Sequence, residues 1–284
     1  WTLAFSLNPV SILITAAHGQ LDPVTNCLCL IGLALLIRKP SKWYAWSALS
    51  LGLAIAIKPN PVLLLPVFAT ARGLSIRQRA AYVTVASLPT AISLVPFLLD
   101  NAHGVISNIF GYSGEYDFGY AAVLRGAWFM KIGSAWLPGT VGEDLGQASR
   151  IMFVAIYLAA LALGAGRISL AKLVTIEYVA FQAFFTGLSA QYTVWVVPFA
   201  ILAGDWFVVV YSIATAGSLT GFYLLFWPSI LLGKFNTIKP IQAAFGPLYF
   251  WTMLLAWVTN AIWFVRLASN WLSPAGVGDV RALG

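Results

Sequence analysis

Charge is scarce in this sequence. Only 9% of its 284 residues are Asp, Glu, Lys or Arg, against roughly 25% in an ordinary soluble domain. Hydrophobic residues make up 60% of the chain and the mean hydropathy is +0.85. So few charges cannot give such a chain a polar skin, and a soluble globule is excluded. Alternating apolar and polar stretches of about ten residues are also missing, which excludes a transmembrane β-barrel. Cysteine is confined to Cys27 and Cys29. Two apart on an apolar helix, their side chains point in different directions, so they build no disulfide or metal framework. No cluster of His, Cys and carboxylate has metal-ligand spacing, and His103 reads as a surface histidine. No cofactor is expected, and the sequence names no metal ligands. The chain also lacks a glycine-rich phosphate loop, a Gly-x-Ser-x-Gly elbow, tandem repeats and low-complexity tracts. It opens at Trp1 inside a hydrophobic run, without an initiator Met or a signal-like leader, and so reads as a fragment whose N-terminal part has been lost.

What the sequence has in abundance is hydrophobic runs. About ten recur, at roughly 1–17, 24–37, 43–57, 60–72, 81–99, 150–166, 170–188, 192–204, 206–227 and 247–268. They predict an all-α polytopic transmembrane helical bundle, a single membrane domain over 1–284 with one large external loop at about 100–149. The net charge of +7 does not signal a nucleic-acid partner, because the cations sit at segment ends and not along one face. They obey the positive-inside rule instead. With the Arg38-Lys39-Lys42 turn in the cytoplasm, the connection with Arg72, Arg77 and Arg79 falls there too, as do Arg167 with Lys172 and the C-terminal tail with Arg266 and Arg281. The external side then receives Asp22, Asp100, Glu115, Asp117, Glu143 and Asp144.

Four polar patches fall on that external side. The first, His18 to Pro23 (HGQLDP), holds His18, Gln20 and Asp22, either a site for a hydroxylated substrate or a polar turn in which Asp22 caps the next helix. The second is Lys58 in IKPNP, at a proline break between two shortened helices. It is either a cation for a lipid phosphate or a lysine snorkelling to the interface. The third is the loop with Glu115, Asp117 and Arg125, suited to sugar hydroxyls or a phosphate and equally to solvation. Its Trp and Tyr residues suit a helix lying in the interface. The fourth is LSAQYTVWVVP, where Gln191 and Trp195 are expected to share a helix face beside Tyr192; an ordinary interfacial belt has the same composition. Glu177 and Asp205 are expected close to water at the cytoplasmic ends of their segments.

The run LNPVSILITAAHGQLDP resembles the "NP…HGQ-D" stretch of membrane-embedded glycosyltransferases of the GT-C superfamily, most of all the bacterial polyprenyl-phosphate-mannose-dependent group, family 87. The runs LGLAIAIKPNPVLLLP, FGYSGEYDFGYAAVLRG and LSAQYTVWVVPF are similar to that group's patterns in the same order, so the resemblance covers roughly residues 5–200. It implies an inverting transferase in the bacterial plasma membrane with its active site on the external face. The donor would be a polyprenyl-phosphate-linked sugar, mannose by family, and the acceptor a lipid or glycan of the cell envelope. It further implies a catalytic base in a first external loop preceding Trp1, with Asp22 positioning substrate and being the candidate for the base within this sequence. Lys58 and Arg125 would meet the donor phosphate, and His18, Gln191 and Tyr192 the sugar or acceptor. The rival readings are a transporter or lipid flippase, an O-antigen ligase or polymerase with lipid-linked substrates, and a truncated, inactive chain. A flippase would line a cavity at mid-membrane depth with charge, whereas the polar residues here gather at one face.

Overall fold

The computed structural model describes residues 2–111, 117–129, 139–232 and 245–272, which are helical almost throughout. In chain order they form α1 (Thr2–Ser6), α2 (Pro9–Ile12), a π-helical turn (Leu13–Ala17), α3 (Asp22–Arg38), α4 (Pro40–Ile57), a 3₁₀ turn (Asn60–Leu63), α5 (Leu64–Ala69), α6 (Ile76–Gly111), α7 (Gly119–Phe129), α8 (Gly139–Gly164), α9 (Leu170–Phe184), a second 3₁₀ turn (Ala190–Val194), α10 (Val197–Leu202), α11 (Phe207–Phe226), α12 (Ser229–Leu232) and α13 (Gly246–Trp271). Among the described residues there is no strand, only an isolated bridge between Phe118 and Leu188.

Among the described residues, four stretches are long and apolar enough to cross a membrane: Ile76–Ile109, Gly146–Gly164, Phe207–Phe226 and Gly246–Trp271. Each turns large apolar side chains outward; Phe97, Ile151, Ile213 and Val265 are all more than 60% exposed. Faces of that kind drive association in water and are satisfied by lipid. The ten hydrophobic runs are therefore not all long helices. The run at 60–72 becomes a 3₁₀ turn and a six-residue helix, and the run at 192–204 does the same. Proline explains both: Pro59, Pro61 and Pro198 lack the amide hydrogen that a continuous helix requires.

In the stretch at 100–149, expected as an external loop, the described residues include the last turns of α6, all of α7 and the first turns of α8. Helix α6 breaks at Asn101 (φ −148°, ψ 77°) and restarts at once, because the Asn101 side-chain oxygen accepts from the Gly104 amide (2.8 Å) as a helix cap does.

The two ends of the bundle differ in chemistry. Helix α3 starts at Asp22 and finishes at Arg38, and α4 returns to Lys58, so the basic turn lies at the opposite end from Asp22 and Lys58. Other basic connections converge on the same basic end. The Gln78 side chain donates to Ser41 O (3.2 Å) beside Arg77 and Arg79, Arg72 Nε donates to Gly166 O (2.5 Å) beside Arg167, and the Lys172 ammonium lies over the Trp271 ring (5.1 Å).

Two carboxylates at this side of the bundle correct the sequence reading. Asp205 is buried, accepting from Arg266 Nη1 (2.7 Å), Trp263 Nε1 (2.8 Å) and the Phe207 amide (3.1 Å). Glu177 has no exposed surface, and neither oxygen has a hydrogen-bond partner among the described residues. Position along a segment does not give access to water when, as for α9, neighbouring helices (here α8 and α13) cover the faces. Of the two cysteines, both free, Cys29 is a core residue and Cys27 is exposed, so the expectation that both lie in the core holds for Cys29 alone.

Close helix contact depends on small residues, as is usual where lipid supplies no hydrophobic drive. At Gly52 an added Cβ would lie 2.4 Å from Ala86 O, so α4 and α6 touch backbone to backbone there. Gly52→Ala is expected to force these helices apart and cost about 1–3 kcal/mol, read as a lowered melting temperature in detergent; an unchanged melting temperature would show that the pair has slack.

Candidate functional site

The site end of the bundle is built where the chain cannot remain helical. Asn8 caps α2, its side-chain oxygen accepting from the Val10 (3.0 Å) and Ser11 (3.4 Å) amides, while its Nδ2 donates to Ser212 Oγ on α11 (2.7 Å). The following turn widens to π, closing with the His18 amide on Leu13 O (3.0 Å). Such single wide turns re-aim the residues that follow them and are frequent at functional sites. Gly19 then takes φ +71°, a left-handed conformation natural to glycine, and delivers Gln20 and Asp22 to the start of α3. At the far end of α4, Lys58 is extended (φ −150°, ψ 133°) because Pro59 follows it and disfavours the helical region for the residue before it.

These two irregular turns meet. Lys58 Nζ lies 2.5 Å from Asp22 Oδ2 and 3.4 Å from Gln20 Oε1. The other carboxylate oxygen, Asp22 Oδ1, accepts from Trp195 Nε1 at 2.5 Å. Asp22 has no exposed side-chain surface and Lys58 retains 22%. Asp22 is therefore not the helix cap that the bland sequence reading offers: it occupies the first position of α3, and its carboxylate reaches across to two other segments.

The third wall comes from the second 3₁₀ turn. Its three-residue period stacks positions i and i+3, so Trp195 packs against Tyr192 (ring centroids 4.2 Å), and the expected shared face of Gln191 and Trp195 does not form. Gln191 instead accepts from Ser189 Oγ (2.7 Å). A cavity of about 340 Å³ opens beside these groups, lined among others by Lys58, Asn60, Val62, Ile109, Tyr192 and Trp195.

His18 stands beside this group. Its Nδ1 is 2.7 Å from Tyr223 OH on α11, with the two rings edge to face. Burial first, and then the Lys58 ammonium, push its pKa below the ordinary 6.5, with Asp22 opposing. Asp117 reaches the same end: its amide donates to Leu188 O (3.1 Å), next to Gly187 on the cavity wall. Of the remaining sequence candidates, Glu115 lies outside the described residues, and Arg125 lies on α7 with its side chain outside them. The structure thus brings His18, Gln20, Asp22, Lys58 and Tyr192 together at one end. Sequence reasoning missed Asn60 and Tyr223 altogether and left Trp195 out of the candidate site. The Asn between two prolines was the one local signal for Asn60; Tyr223 had none.

Residues 1–109 match the family model for glycosyltransferase family 87. The matched portion contains the HGQLDP and IKPNP turns, and thus His18, Gln20, Asp22, Lys58 and Asn60, while Tyr192 and Trp195 lie beyond it. No curated protein and no solved structure matches the chain. The family 87 match and the four long apolar helices support a membrane glycosyltransferase.

Two outcomes test the site's physics. Trp195→Phe removes one of the two donors to a buried carboxylate and is expected to cost about 1–3 kcal/mol. In the Asp22→Asn background the same change should cost less; equal losses in both would mean that the indole contributes packing alone. For His18 the folded pKa lies below the unfolded value, so the unfolded chain binds the proton more readily. The stability it contributes is intact above pH 6.5 and falls as pH drops below that value. Melting curves between pH 5 and 7.5 should flatten in His18→Gln, and a parallel shift of the whole profile would assign the pH dependence elsewhere.

Proposed function

We propose that this chain transfers a sugar, mannose by family, from a polyprenyl-phosphate donor to a lipid or glycan acceptor at the external face of a bacterial plasma membrane, with its C-terminus in the cytoplasm. The observation that carries this reading is Lys58: a half-buried ammonium on a cavity wall, within the residues matched to glycosyltransferase family 87. As the glycosidic bond breaks, the departing polyprenyl phosphate gains negative charge. A cation already fixed beside it stabilises that charge without reorganising. Arg125 is the second candidate for the phosphate. Asp22, held by two donors, positions Lys58 and the Trp195 indole and does not serve as the base. His18, Gln20, Glu115, Asp117, Gln191 and Tyr192 are the candidate contacts to sugar or acceptor; rings such as Tyr192 and Trp195 offer faces for a sugar ring. A transporter or flippase, and an O-antigen-type ligase, remain the rivals.

The test uses purified full-length protein with a polyprenyl-phosphate sugar, following release of free polyprenyl phosphate. Lys58→Ala should lower turnover by about 10²-fold, the usual loss when one preorganised charge-stabilising group is removed, while the protein still inserts; Lys58→Arg should recover part of it. An unchanged rate in Lys58→Ala removes Lys58 from the site. Absence of release by the wild type across a range of acceptors would favour the transporter.

A further inference from the structure

Resting on the transferase reading, we infer that the Asn60 carboxamide is a hydrogen-bonding contact for the sugar of the lipid-linked donor. Asn60 begins the 3₁₀ turn two residues after Lys58 and forms part of the same cavity wall. Both of its amide atoms, Nδ2 and Oδ1, are shielded from solvent and lack a hydrogen-bond partner among the described residues. The Tyr178 hydroxyl on α9 is the amide's hydrogen-bonding neighbour within the protein, but no bond of ordinary length joins the two.

A carboxamide left this way costs about 1–3 kcal/mol, so a purely structural residue here would be better replaced by an apolar one of the same shape. With no bond of ordinary length to break, a turn about its side-chain torsions would bring the amide to the cavity that Asn60 lines. There it offers one donor and one acceptor, the pair that two neighbouring sugar hydroxyls require. Its distance in sequence from Lys58 suits a division of labour, with the ammonium on the phosphate and the amide on the adjoining sugar. The rings of Tyr192 and Trp195 line the same cavity and would bound the sugar there.

Equilibrium binding by native mass spectrometry separates these contributions, using a polyprenyl-phosphate hexose and the same polyprenyl phosphate without sugar. Asn60→Leu, or Asn60→Ser if the first variant fails to fold, should weaken binding of the sugar-bearing lipid by about 10-fold and leave the bare lipid phosphate unchanged. Tyr178→Phe should bind both as the wild type does. Equal loss for both lipids in the Asn60 variant, or no loss for either, overturns the inference while leaving the transferase reading in place. If wild-type protein binds neither lipid, the transferase reading fails and takes this inference with it.

Discussion

The carboxylate of Asp22 is the fixed point around which this end of the molecule is arranged. A buried, ionised carboxylate is tolerable only when its charge is matched and its oxygens are hydrogen-bonded, since leaving one alone costs several kcal/mol. Here one oxygen meets the Lys58 ammonium and the other the Trp195 indole, partners 36 and 173 residues away in sequence. Satisfying the one group therefore fixes the relative positions of the start of α3, the break after α4 and the turn after α9. The requirement also explains the local irregularities. An α-helical Lys58 would send its side chain along α4, and an α-helical 190–195 would rotate Tyr192 off the Trp195 ring.

The same chemical solution appears at the opposite end with a different outcome. Asp205 is also buried, and it also accepts from a cation and an indole, Arg266 and Trp263. Arg266, however, lies over the rings of Trp206 and Phe207 (5.3 and 5.6 Å), which cover its planar face. Its charge is spent on holding α11 and α13 to the turn between α10 and α11. Lys58 borders a cavity. The two pairs are alike as stabilising devices, but two rings cover Arg266 whereas Lys58 lines a cavity. That difference, and not the presence of an ion pair, distinguishes the candidate site from a clamp.

How much of this was legible in the sequence depends on whether the cause is local. Membrane insertion follows from composition and needs no tertiary information. The break at Lys58 follows from Pro59, and the left-handed turn at Gly19 from glycine, so the two turns that bear Asp22 and Lys58 could be found by eye. Their meeting could not, because sequence offers no measure of which turns share an end beyond charge bias in the loops. Buried carboxylates were misjudged for the same reason: Glu177 and Asp205 lie near segment ends, but exposure is set by neighbouring helices, which the segment boundaries do not reveal. The error over Gln191 had a narrower source, in that a 3₁₀ turn changes the repeat from 3.6 residues to 3 and so exchanges i+4 partners for i+3 ones. At the start of the 100–149 stretch, polarity gave no sign that Asn101 would restart α6 with its own side chain.

An ammonium carries three hydrogens. Asp22 and Gln20 account for two of those at Lys58, the second at a long 3.4 Å. The third is available to a ligand in the cavity without breaking the pair that holds the turn. An anion arriving there meets a cation whose charge is already partly offset by Asp22, so binding of a singly charged phosphodiester gains little. On the proposed reading the product is a phosphate monoester, carrying more charge on the same oxygens. The interaction therefore strengthens as the sugar leaves, and a cation tempered by a buried carboxylate favours the transition state over the resting complex. A free, unpaired lysine at the same place would hold both states tightly and would slow release of the lipid phosphate.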